Sequence, residues 1–414
     1  MLALGAGLAI ELALLAAWQR NGYWDFSDGA YAETARGLLN GHRLYRDVAA
    51  AQPPPVYLVG ALLLSIHDGL GPLRAGLALV ELLTAALVAL SVWRLSGRDR
   101  VALVAGLASP LLPISLHEHA QLLPETLAAP LVMGGALWCA RSERAWAGGA
   151  LLALATACKL AFALPALAIT LASVARRRAL GGLMLAGAAL SAIALAVFGT
   201  GVWREAVRAQ LQVGRASLHD VGGLLTQAAW DELPLVLGAG AALLLARQAR
   251  DRALLRTLGA AAVAGLLLGL TLFKRGSYLN VLVVAEPPLL ALAACGAVWA
   301  WERGRSRWLV AVLSALLALE SLSLLTAPGD PVLARRPFAH SGLEYALSPA
   351  AVDRAVASAR RCPPGNPYSG NPFLAFLADR RMPGNQPDLF IIRYAAIDAR
   401  FARLASADAE RCPN

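Results

Sequence analysis

QPPPVYLVGALLLSIHDGLG, Gln52–Gly71, is apolar enough to pass for a membrane span, and whether it crosses decides on which side everything after it lies. A helix needs about 20 apolar residues to span a bilayer. This run is shorter and opens on three prolines, which fix the chain direction but delay a regular helix. Read as a helix lying near the interface, 53–69 leaves eleven candidate spans: 1–18, 72–94, 101–117, 122–140, 146–158, 160–175, 179–198, 233–247, 257–273, 281–300 and 308–326. The arginines test this reading. Arg94, Arg98 and Arg100; Arg141 and Arg144; Arg176, Arg177 and Arg178; Arg247, Arg250, Arg252 and Arg256; and Arg303, Arg305 and Arg307 then all fall on one side, the cytoplasmic side by the positive-inside rule. Counting 53–69 as a span would move every one of these clusters to the side of 19–52 and lose that agreement. The segments 19–71, 118–121, 199–232, 274–280 and 327–414 fall on the other side.

Composition agrees with a polytopic membrane protein. Of 414 residues, 58% are hydrophobic and only 15% charged, against about 25% charged in a soluble domain. A formal charge of +10 would suit a nucleic-acid partner, but the positive charge sits in short clusters between apolar runs, so no nucleic acid is expected. The first apolar segment has no basic leader and no small-residue cleavage site, and reads as a retained anchor. Cys139, Cys158 and Cys295 lie in apolar segments and read as buried small residues. Cys362 and Cys412 lie in the polar tail, where an oxidising compartment would permit a disulfide.

The first outer segment carries the chemistry. In SDGAYAETARGLLNGHRLYRDVAAAQPPPVYLV, Ser27–Val59, the helical part places Tyr31, Ala35, Leu38 and Leu39 on one face, while Asp28, Glu33 and Arg36 add charge. The plain alternative is a charged helix resting on lipid headgroups. The second outer segment, SLHEHAQLLPET, holds Glu118 between His117 and His119, with Glu125 opening the next span. Two histidines and an acid are possible metal ligands, but the spacing is not HExxH, and a polar interfacial turn is the simpler reading.

The chain has 35 arginines and only two lysines, Lys159 and Lys274. Both close apolar runs on the outer side, against the charge rule, and Arg275 stands beside Lys274. Snorkelling to headgroups would explain each alone. Cations at the membrane edge also suit an anionic lipid phosphate, which lysine meets as a point charge and arginine as a fork. Tyr278, Asn280 and Glu286 extend this polar group. Carboxylates and cations on one face fit group transfer from a lipid phosphate, with Asp28 taking or holding the acceptor's proton and the cations stabilising the leaving phosphate.

These segments resemble the GT-C glycosyltransferases of the ArnT and protein-mannosyltransferase-like group, in particular the RgtA/B/C/D-like proteins. The matching stretches are DGAYAETARGLLNGHRLYRDVAAAQPPPVYL, the LLPE start of a span, ALATACK, and KRGSYLNVLVVAEP, within roughly 20–300. The resemblance implies an all-α polytopic GT-C fold of about eleven spans, with juxtamembrane helices in the first outer loop. It implies a transferase domain over 1–326, whose catalytic loop is 19–71, and an extracytoplasmic region over 327–414. It makes Asp28 the catalytic residue and Glu118, with Glu125 as rival, the second acid. It gives Lys159, Lys274, Arg275 and Tyr278 the donor phosphate, with Tyr31 and Asn280 in support. The donor it implies is a polyprenyl-phosphate-linked sugar, transferred with inversion to a glycan, lipid or protein acceptor on the outer face of a bacterial inner membrane. Some relatives need a divalent metal and others do not; this chain has neither a DxD motif nor an evident three-ligand set, so metal use stays open.

The tail reads as a small α/β module, with LFIIRYA, Leu389–Ala395, as a strand. The competing class is a transporter or flippase for a lipid-linked or small anion. Its expected inverted repeats are not evident in the sequence, and it has no evident need for the charged first loop.

Overall fold

The computed structural model describes residues 2–21, 26–304, 307–326, 349–361, 363, 367, 371–388, 401 and 403. The expected strand at Leu389–Ala395 and the Cys362–Cys412 pair lie outside these residues. Among the described residues there is no strand, only isolated bridges at Leu44–Val48 and Arg215–Lys274. The described part of the tail is helical.

The chain opens with α1 (Leu2–Asn21), α2 (Phe26–Leu39) and α3 (Pro55–Leu64). The long α4 (Leu70–Ser96) follows, then α5 (Asp99–Ala108), α6 (Pro113–His117) and α7 (Pro124–Cys139). Next come α8 (Ala145–Cys158), α9 (Ala163–Ala172), α10 (Arg176–Phe198) and the short α11 (Gln210–Gln212), entered through a π-helix at Trp203–Ala209. The bundle ends with α12 (Leu218–Leu244), α13 (Arg252–Leu267), α14 (Glu286–Glu302) and α15 (Arg307–Thr326). The tail adds α16 (Pro349–Arg360) and α17 (Pro372–Ala378).

Among the described residues, three helical stretches are long and apolar enough to cross a bilayer by length and composition: Leu70–Ser96, Arg176–Phe198 and Arg252–Phe273. The chain is therefore a multi-pass membrane protein. Several expected spans are not single helices. The segment 101–117 breaks where Pro110 and Pro113 interrupt the hydrogen-bond ladder, giving α5, a 3-10 turn and α6. The segment 257–273 ends in a 3-10 stretch, Leu268–Phe273. The expected outer loop 199–232 is largely helical, because α12 begins at Leu218. At Lys159 the backbone turns extended (φ −154°, ψ 127°), separating α8 from α9. The three-proline run gives a ten-residue α3 that starts at Pro55, about 15 Å long and too short to cross.

The arginine clusters meet at one end of the bundle. Arg94 pairs with Asp251, which also caps α13 by accepting from Leu254 N–H, and Arg94 donates to the Leu137 carbonyl. Arg98 pairs with Glu302, Arg178 donates to Ser142 O, and Arg256 to Ala172 O. The 27-residue α4 runs from this end to the opposite one, about 40 Å away.

Small residues let two helices touch. A Cβ on Gly149 would lie 1.9 Å from Ala179 O, and one on Gly182 would lie 2.0 Å from Trp146 O. Close approach of this kind drives helix association in lipid, where burial of apolar surface offers no gain. Gly182→Leu is expected to destabilise the protein by about 1–3 kcal/mol, read as a lower Tm in detergent. Gly187→Leu, on the same helix with nothing within 4 Å of its would-be Cβ, should leave Tm unchanged.

Candidate active site

Asp28 lies in the first turn of α2, where the helix dipole favours a carboxylate. It is 1% exposed. Arg74 of α4 grips it with both guanidinium nitrogens, Nη1 to Oδ1 at 3.1 Å and Nη2 to Oδ2 at 2.5 Å. Leu122 N–H donates to the same Oδ1 at 2.7 Å. Arg74 Nη1 also donates to Ala120 O at 2.7 Å, and Ala120 N–H donates to Glu81 Oε1 at 2.8 Å. Ala120 has a left-handed φ of 52°, a conformation unfavourable for alanine. Its peptide groups are held on both sides by residues seven apart on one face of α4. The first loop, the second loop and α4 are thus fastened at one buried point.

The two histidines of the second loop part company. His117 Nδ1 lies 3.1 Å from Glu118 Oε1. His119 is buried between Glu81, 2.5 Å from its Nδ1, and Glu11 of α1, 3.5 Å from its Nε2. Neither contact is aligned as a hydrogen bond, and Glu11 accepts none. Burial opposes charge on His119, but Glu81 and Glu11 outweigh it and hold the pKa above the usual imidazole value. One ligand atom from each of these three residues lies within 4.8 Å of the others. The two ring nitrogens address two different carboxylates, as an imidazolium bridging them would, rather than three donors aimed at one point.

Glu118 is 3% exposed and touches His117. Burial, with Glu125 and Asp28 nearby, pushes its carboxyl up to about 8 against the pull of Lys159. Glu125, fully buried at the start of α7, forms an ion pair with Lys159. Glu286 turns away from the group in which the sequence placed it: it accepts from Ile114 N–H, Ser115 N–H and the Ser115 hydroxyl, and so closes the start of α6.

The cations form a different wall. Lys159, Lys274, Arg275, Tyr278, Asn280 and Tyr31 all line one cleft of about 860 Å³, which includes the open solvent at its mouth. Tyr31 packs edge-on against Tyr57, ring centroids 5.5 Å apart. Lys274 Nζ donates to the Gln210 side chain, whose amide donates to Ala51 O at 2.9 Å, so the late cation is tied to the first loop. Burial and nearby Lys159 push Lys274 down to about 8. Asp28, Glu118 and Glu125 do not line this cleft. Ser27 and Ala30, close to Asp28 in the chain, and Lys159, the partner of Glu125, do line it.

Arg74, Glu81, Gln210 and Asp388 escaped the sequence reading. Arg74 carried a usable signal, since it is an arginine within an apolar span at the outer end, as Lys159 and Lys274 are. Gln210 and Asp388 carried none, being polar residues in polar segments.

No protein-family model and no curated protein matches the sequence. Solved structures do. The crystal structure of ArnT from Cupriavidus metallidurans bound to undecaprenyl phosphate superposes with a TM-score of 0.63 at 17% identity, over 92% of this chain and 84% of that one. The apo state of the same protein gives 0.63 at 16% identity, over 97% and 90%. The chain has the fold of ArnT, as the resemblance implied.

The Asp28–Arg74 pair sets a stability prediction. Arg74→Ala leaves a buried carboxylate without its partner and should cost about 3–5 kcal/mol. The double replacement Asp28→Leu with Arg74→Met should recover much of that loss. Thermal unfolding of the purified variants in detergent checks both.

Proposed function

We propose that this protein is a glycosyltransferase that moves a sugar from a polyprenyl-phosphate-linked donor to a hydroxyl acceptor on the outer face of the cytoplasmic membrane. One observation carries the reading. The chain's only two lysines, 115 positions apart in sequence, join Arg275 and Tyr278 in one cleft. Cations on a lipid-facing bundle are costly unless they have an anion to serve. A structural relative of this fold is described as bound to undecaprenyl phosphate.

In this reading the acceptor oxygen attacks the anomeric carbon as the bond from that carbon to the phosphate oxygen breaks. The polyprenyl phosphate leaves with the bonding electron pair, and Lys159, Lys274 and Arg275 stabilise its charge, with Tyr278 as a hydrogen-bond donor. A single displacement inverts the sugar carbon. Asp28, the catalytic residue of the family that the chain resembles, takes the acceptor's proton. In the closed arrangement Arg74 holds it, so the reading requires the fork to release the carboxylate toward the cleft as substrate enters. Glu118 and Glu125 support that face. The acceptor is a cell-envelope glycan, lipid or protein.

The test is turnover of radiolabelled polyprenyl-phosphate sugars by purified protein, with Asp28→Asn alongside and EDTA in a parallel set. Label should leave one donor with the wild type, while Asp28→Asn binds polyprenyl phosphate but falls by at least about 100-fold in rate. Equal rates would remove Asp28 from the chemistry. A donor carried across vesicles intact, with no sugar–phosphate bond broken, would replace this reading with the transporter.

Lys274 predicts a pH dependence. A lysine with its pKa near 8 is charged below that pH and neutral above it. Donor KM should therefore rise between pH 7 and pH 9, and Lys274→Gln should raise KM at pH 7 and flatten the profile.

A further inference from the structure

The cleft that holds the cations also has a carboxylate on its wall, and it comes from the tail. Asp388 is half-buried and lines the same space as Lys159, Lys274, Arg275 and Tyr278. It is the one acidic side chain among the described lining residues; Asp28, Glu118 and Glu125 do not line the cleft.

Its position is built rather than incidental. Gln386, two residues earlier, is fully buried. Its side-chain oxygen accepts from Ala49 N–H at 2.9 Å, and its amide donates to Asp47 O at 2.9 Å and Gly384 O at 2.9 Å. The tail is thus pinned to the first loop just before Asp388. Further back, α17 sits on α2 at Gly29, where a Cβ would lie 2.3 Å from Phe373 N. Arg36 stacks on Phe376 at 4.0 Å and donates to its carbonyl at 3.1 Å. The Arg74 guanidinium that grips Asp28 lies 5.7 Å from the Phe373 ring centre. The buried phenol of Tyr57 feels Asp388 as well: burial first, then this negative charge, raises its pKa.

A transfer cleft needs cations where the phosphate departs and, besides the base that takes the nucleophile's proton, a hydrogen-bond acceptor that orients the molecule bearing it. We propose that Asp388 is the acceptor-binding carboxylate of this cleft: it receives a hydrogen bond from a second hydroxyl of the acceptor, or from the second O–H of water in donor hydrolysis, and so fixes the attacking oxygen opposite the bond to phosphate while that oxygen's own proton goes to Asp28. This rests on the glycosyltransferase reading. It gives the tail a function: the tail completes the acceptor side, while the membrane bundle supplies the donor side.

The experiment uses the full chain in detergent, with Asp388→Asn and Asp388→Glu, and two readouts. The first is hydrolysis of the labelled donor that the wild type turns over. The second is the Kd for undecaprenyl phosphate, which needs no acceptor and no turnover. Asp388→Asn removes one negative charge from beside the cations, so undecaprenyl phosphate should bind about 3- to 10-fold tighter. Hydrolysis should slow by about 10-fold or more from the loss of orientation, at unchanged Tm, and Asp388→Glu should restore part of the rate. Unchanged Kd and unchanged rate would overturn the proposal, and so would weaker binding with a lowered Tm, which would mark Asp388 as merely structural. Absence of donor hydrolysis by the wild type would reflect the missing acceptor and leave the glycosyltransferase reading to the transfer assay, while the Kd arm decides whether Asp388 faces the anion site.

Discussion

The buried fork between Arg74 and Asp28 is the contact on which the end of the molecule opposite the arginine clusters depends. Two charges taken out of water repay their desolvation only with good geometry and further hydrogen bonds. Here the carboxylate has a two-point guanidinium and a peptide N–H, and the guanidinium has a carbonyl as well. These partners come from α2, α4 and the loop at 118–122, three segments far apart in sequence. Loosening the fork would unfasten all three. A constraint of this kind holds loops in register where lipid offers no hydrophobic drive between helices.

Around that fork the outer end divides into two layers. The inner layer is acidic and closed, with Asp28, Glu118 and Glu125 buried and in contact with Arg74, His117 and Lys159. The outer layer is cationic and open, with Lys274, Arg275 and Tyr278 on the cleft. Lys159 belongs to both, since it pairs with Glu125 and lines the cleft. Glu125 thus holds a cation in place at the cleft wall while its own charge stays hidden. The cleft keeps a net positive character suited to an anion, although one of its cations is paired with a buried carboxylate.

The first loop and the tail act as one unit at this end. Gln386 bonds to the backbone at Asp47 and Ala49, and Tyr45 donates to Gln52 O at 2.7 Å. Gln210 reaches Ala51 from the other side while holding Lys274. The segment that carries the prolines is therefore the hub to which the late cation and the tail are both tied. Its non-helical backbone offers free peptide groups, which a transmembrane helix would have used internally.

Much of this was legible in the chain itself. Apolar runs pointed to a multi-pass membrane protein and the arginine clusters to one common side, because charge placement in a membrane protein is a matter of solvation cost that the sequence shows directly. The reading of Gln52–Gly71 as too short to cross agrees with a ten-residue α3 and with arginine clusters that meet at one end. The two lysines stood out because each broke that charge pattern, and both line one cleft. Tertiary structure alone decided which carboxylates face the cleft. Asp28, Glu118 and Glu125 are buried and do not line it, whereas Asp388, which carried no sequence signal, does. The sealing of Asp28 by Arg74 and the delivery of Asp388 by the tail depend on partners tens to hundreds of positions away. Local pattern fixes what each segment is, but only packing fixes what it meets.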